Sequence, residues 1–65
     1  MTPKQKERLV NSAVKKLRAA ADALSDLSFM SVDYGVKTDI EDRFTADLRE
    51  RANYWESCTW WKKEA

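Results

Sequence analysis

The sequence predicts a mainly α protein: a helix–strand–helix protomer in an intertwined homodimer, with a two-stranded antiparallel ribbon between the subunits. Three observations predict it. Two long segments carry apolar residues at helical spacing, and each opens with a capping sequence. Between them, "SFMSVDYGVK" (Ser28 to Lys37) alternates apolar and polar residues at a period of two. The chain has only 65 residues. A domain of that length buries about 60% of its unfolded surface and is marginal alone.

The first helix starts at "MTPKQKERLV". Thr2 is placed to cap it, Pro3 suits the first helical position, and Gln5 completes a capping box. Val10, Leu17 and Leu24 recur seven apart, as do Ala13, Ala20 and Leu27, while Val14 and Ala21 widen the stripe. The alanines leave room for another helix to approach closely. Lys4, Arg8, Asn11, Lys15 and Arg18 form a mostly basic row on the opposite face. These features predict helix 1 over about 3–27.

The period-two stretch predicts a strand over about 29–34, with Gly35 ending it where backbone freedom is useful. "KTDIEDRF" then reads as a second helix start, Thr38 capping and Glu41 its capping-box partner. Asp39, Glu41 and Asp42 put negative charge at the positive end of the helix dipole, with Lys62 and Lys63 near its negative end. Ile40, Phe44, Leu48, Ala52, Trp55 and Cys58 or Thr59 line one face, flanked by Tyr54 and Trp61. Asp39–Arg43 and Asp47–Arg51 are spaced as favourable pairs. Helix 2 is expected over about 39–63, and the whole chain, 1–65, is read as one domain.

Small domains are usually completed by a disulfide, a metal or a partner subunit. One cysteine, Cys58, forms no intrachain disulfide, and a chain without histidine offers no zinc ligand set. No metal and no cofactor are expected, which leaves association. The lone strand has no partner within the chain, and an unpaired edge invites another chain. Two copies pairing their strands across a two-fold axis would use the same patch twice. The expected dimer contacts are Phe29, Met30, Val32, Tyr34, Leu17, Leu24, Phe44 and Leu48. The plainer alternative is an extended interhelical loop packed on its own helices.

Catalysis finds little support. No histidine is present for acid–base work near neutral pH. Cys58 has no activating partner and reads as a structural cysteine. Asp39, Glu41 and Asp42 read as a complement to the helix dipole rather than a metal site. The unpaired cysteine, and the lack of any membrane-length apolar run or hydrophobic leader, lead to the expectation of a soluble, cytoplasmic protein with no membrane partner.

Net charge is +1 but unevenly spread. Residues 1–20 carry a net +5, residues 21–50 a net −5 and residues 51–65 a net +1. That pattern favours contact between head and middle, within a chain or between chains, as much as it favours nucleic acid. Lys4, Arg8, Lys15 and Arg18 could track phosphates, although a solvated helix face explains the row equally well. No helix-turn-helix layout is present, and a ribbon-helix-helix reader would begin with its strand.

The segment "NYWESCTWWKK" is the most unusual local feature. Trp55 falls on the apolar face, Tyr54 and Trp61 at its margin. Trp60 is placed roughly opposite, as an exposed aromatic of the kind enriched at binding hot spots, although a fraying C-terminal turn or a contact within the dimer explains it equally well, and Tyr54 and Trp61 could be core or dimer contact. Tyr54, Trp55, Trp60 and Trp61 are therefore the candidate partner-binding residues, around an apolar cleft able to take an amphipathic helix.

The helix–strand–helix order, the short length, the central "SFMSVDYG" and the tryptophan-rich end together resemble the small early protein encoded between the exonuclease and excisionase genes of lambdoid bacteriophages. That resemblance implies a dimer whose two helices and one strand make intermolecular contacts, a pro-lytic role during infection, and no catalytic residues. The leading expectation is a non-enzymatic phage early protein, in the host cytoplasm, that binds a host or phage protein through the tryptophan-flanked cleft. The alternative is a small dimeric nucleic-acid-binding protein using Lys4, Arg8, Lys15 and Arg18. A third reading is a subunit of a larger assembly.

Overall fold

A computed structural model describes residues 1–62. Two helices, α1 (Pro3–Val32) and α2 (Asp39–Ser57), fold back on each other as an antiparallel hairpin, followed by a 3-10 turn at Trp60–Lys62. The rod measures 52 × 15 × 13 Å, with a radius of gyration of 15.4 Å. A compact globule of this length would have a radius near 11 Å, so the hairpin is strongly elongated.

The start of α1 is as the sequence predicts. Thr2 Oγ1 accepts from the Gln5 backbone N–H at 3.2 Å, and Gln5 Oε1 accepts from the Thr2 N–H at 2.8 Å. The reciprocal pair satisfies two of the helix's orphan donors.

The far end overturns the strand. Residues 29–32 continue α1, and 33–35 form a turn, so no strand exists among the described residues. Helix 1 therefore ends at Val32 rather than near Leu27, and the two-stranded intersubunit ribbon has no strand to build it. The physical reason lies at Gly35, which adopts φ 67°. Its N–H donates to the Val32 carbonyl at 3.2 Å, and the Val36 N–H donates to the Ser31 carbonyl at 3.2 Å. This is the Schellman arrangement, in which a left-handed glycine closes a helix. Ser31 Oγ donates back to the Ser28 carbonyl at 2.8 Å, and Ser31 is buried. The apolar members of the alternation are all exposed: Met30 54%, Val32 72%, Tyr34 76% and Val36 59%. Their period of two marks no buried sheet face.

Thr38 precedes α2 but makes no side-chain cap to it, so the expected capping box with Glu41 does not form. Its Oγ1 instead lies 2.9 Å from Ser28 Oγ, tying the loop to α1. Asp39, Glu41 and Asp42 do occupy the first turn. Helix 2 ends at Ser57, not near Lys63. Cys58 is its extended C-cap, donating its N–H to the Tyr54 carbonyl at 2.8 Å. Lys62 therefore sits beyond the last turn of α2, and Lys63 lies outside the described residues.

Small side chains hold the helices together. The buried residues are Val14, Ala21, Ser31, Thr45 and Ala52, with the two alanines wholly inaccessible. Thr45 Oγ1 donates to the Glu41 carbonyl at 2.9 Å, so its hydroxyl is satisfied within its own helix. Leu17, Leu24, Leu48 and Trp55 are half-buried at the edges of the seam. No large side chain is fully buried.

Two outcomes follow. Gly35→Ala should destabilise the fold by about 1 kcal/mol, because a Cβ costs roughly that at positive φ, while nothing lies within 4 Å to clash with it. Ala52→Leu should cost about 1–3 kcal/mol by overpacking the seam. Chemical denaturation followed by circular dichroism measures both.

Candidate interaction surface

The two flanks of the hairpin differ sharply. At ~100° per residue, Arg18 and Asp22 lie on one side of the stripe with which α1 meets α2, and Leu9, Ala20 and Leu27 lie on the other. On α2, Arg49, Asn53 and Glu56 border one side of its seam, and Ile40 and Phe44 the other. Arg18 bonds Glu56 at 2.9 Å and Asn53 at 3.0 Å, and Arg49 reaches Asp22 at 3.5 Å. These contacts join the polar flanks on one side of the rod, so the apolar flanks share the opposite side. The ion pairs that form thus run between helices, whereas the i,i+4 pairs Asp39–Arg43 and Asp47–Arg51 are not made among the described residues.

The apolar side is wide open. Leu9 is 57% exposed, Leu27 48%, Ile40 63% and Phe44 53%. With half-buried Leu17, Leu24 and Leu48 beside them, they form a continuous strip along both helices. Of the residues expected at a dimer contact, Leu17, Leu24, Phe44 and Leu48 belong to this strip. Phe29, Met30, Val32 and Tyr34 lie exposed at the loop end.

The tryptophan-rich segment sits at the opposite end. The chain leaves α2 at Cys58, and the 3-10 turn at Trp60–Lys62 lies beside the start of α1, with Trp61 and Lys62 bordering Pro3, Lys6 and Glu7. Trp60 therefore does not project away from the apolar face, as continuous helical phase suggests. Its Nε1 donates to Tyr54 Oη at 2.9 Å, and its ring lies 5.5 Å from that of Trp55. Tyr54 meets Trp55 edge-on, also at 5.5 Å. Met1, Lys6 and Leu9 join Trp55, Trp60 and Trp61 around a shallow open depression. The helix stop after Ser57 was the signal that sequence periodicity missed, since neither glycine nor proline marks it.

Trp61 is half-buried, and its Nε1 is enclosed with no hydrogen-bond partner among the described residues. Lys62 Nζ lies 5.2 Å from its ring centroid, within cation–π range. Cys58 is half-buried and directs its Sγ to the Trp55 carbonyl at 3.5 Å.

The basic row is divided. Lys4, Arg8 and Lys15 are exposed, but Arg18 is engaged by Glu56 and Asn53. Among the described residues no helix is long and apolar enough to cross a membrane.

Tyr54→Phe removes the acceptor for the Trp60 indole N–H. The expected loss is about 0.5–1 kcal/mol, the net worth of one ordinary hydrogen bond, with an upfield shift of the Trp60 indole proton by NMR. An unmoved resonance would show that the bond is absent in solution. No family model, no curated protein and no solved structure matches this chain.

Proposed function

We propose that this chain is a non-enzymatic protein-interaction module whose working unit is a homodimer, formed where the apolar strips of two hairpins meet. The observation that carries this reading is the imbalance between core and surface. Among the described residues, the buried hydrophobic ones number three, Val14, Ala21 and Ala52, all small or medium in size, whereas twelve large hydrophobic side chains are exposed. The accessible surface is 5502 Å², whereas a folded monomer of 7.6 kDa presents about 4,300 Å². One chain's share of a standard interface is about 800 Å², so a surplus of about 1,200 Å² per chain is more than enough to supply one dimer contact.

The dimer in this reading is a four-helix arrangement of two hairpins, not a strand ribbon. Packing strip on strip gives Leu17, Leu24, Leu27, Phe44 and Leu48 the enclosed core that a single hairpin denies them. Burying one such side chain fully contributes about 1.5–3 kcal/mol. The phage setting, with a host or phage protein as the further partner, rests on the sequence resemblance, and the central strand that contributed to it is helix and turn. Nucleic-acid binding is the weaker reading, because Arg18 is already paired and the depression beside Lys15 and Arg18 is also lined by Glu7 and Glu56.

Phe44→Asp tests the proposal. On an isolated hairpin this exposed position tolerates substitution within about 0.5 kcal/mol. In the dimer it would bury an unpaired charge, at a cost of several kcal/mol. Sedimentation equilibrium is expected to give twice the chain mass for the parent and a single-chain mass for the variant, with helical circular dichroism retained. A parent that stays single at several hundred micromolar would remove the proposal.

A further inference from the structure

The hairpin is electrically polar along its length. Its tryptophan end, residues 1–18 and 53–62, carries seven basic and two acidic side chains, a net +5. Its loop end, residues 19–52, carries four basic and eight acidic ones, a net −4. The two ends cannot neutralise each other within one molecule. At 1.5 Å per residue, Lys4 stands about 27 Å along α1 from Asp22, the first acid of the loop end. Exposed charges beyond about 8–10 Å are screened at physiological salt. Among the described residues, only the two mid-rod pairs, Arg18–Glu56 and Arg49–Asp22, bridge the helices. Lys4, Lys6, Arg8, Lys15 and Lys16 have no acid of the loop end within reach.

From this we infer that the occupant of the apolar strip is a second copy lying antiparallel, with the two-fold axis crossing near Ala20. The inference rests on the dimer proposed above and adds its direction. A parallel pair would stack +5 on +5 and −4 on −4, and would leave both ends repelling. The antiparallel pair sets each basic end beside an acidic one. It also matches apolar groups: Leu9 and Trp60 of one copy come opposite Ile40 and Met30 of the partner subunit. Trp60, 56% exposed, and Trp55 then belong to the dimer contact rather than to a separate partner site. Ala20 is exposed at the middle of the strip, where a small side chain lets the two α1 helices approach closely at the axis.

Spin labelling decides the direction. In a Cys58→Ser background, Lys4→Cys carries one nitroxide at the exposed start of α1, and pulsed dipolar spectroscopy reads the label-to-label distance in the dimer. The antiparallel arrangement places the two labels about 50 Å apart, taking twice the axial distance from Lys4 to Ala20. A second label at Asp33→Cys, at the opposite end, should give about 40 Å by the same geometry. Inter-label distances below about 25 Å at either position would mean a parallel dimer and overturn the direction alone. The absence of dipolar coupling together with a single-chain mass would overturn the dimer as well. As an independent readout, the dimer dissociation constant should rise at least tenfold between 50 mM and 500 mM NaCl, and salt-independent association would count against the charge matching.

Discussion

The close approach of α1 and α2 is the constraint on which everything else in this structure depends. Ala21 and Ala52 are wholly inaccessible, and Thr45 and Ser31 are buried further toward the loop. Side chains this small let two helices pack tightly over their shared length. They also bury little apolar area per residue, so the seam by itself gains little of the hydrophobic free energy that usually outweighs chain entropy. The large apolar side chains sit at the edge of the seam or outside it. A hairpin assembled this way is well defined in geometry and incomplete in its core.

That incompleteness has a side. Cross-helix contacts from Arg18 and Arg49 fix the polar flank, and their side chains are 41–75% exposed, so each contributes little to stability. Their structural consequence is larger than their energy. By joining the polar flanks they assign Leu9, Leu27, Ile40 and Phe44 to one common surface. Contiguous exposed apolar surface of more than a few hundred Å² generally marks an interaction site, which is the basis of the dimer proposed above.

The charge distribution acts at longer range than the apolar strip and does a different job. Apolar burial is non-directional and would tolerate either orientation of two rods. The separation of basic and acidic ends breaks that equivalence, because like charges juxtaposed along a parallel pair penalise the wrong arrangement. Sequence order alone makes the head basic and the middle acidic. The hairpin converts that order into two ends of a rod, too far apart to neutralise each other.

Much of this was legible from residues alone, and the limits are physical. Thr2, Pro3 and Gln5 specified the start of α1 and the heptad spacing gave its apolar side, because these are local or periodic properties of a helix; the alanines expected to admit a close helix, Ala13 and Ala20, are not the ones in the seam, which Ala21 and Ala52 occupy instead. The segment from Phe29 to Tyr34 misled, since alternation can be written over the last turn of a helix as easily as over a strand. Only the tertiary structure decided between them, through Ser31 buried beneath the loop, the Ser28–Thr38 contact and the left-handed Gly35. The end of α2 was likewise invisible, because the turn that brings Trp60 back onto Tyr54 and Trp55 is a contact between side chains and no breaker residue encodes it. Which flank of each helix shares a side with which flank of the other is a question of handedness in three dimensions, and the ion pairs across the hairpin were needed to answer it.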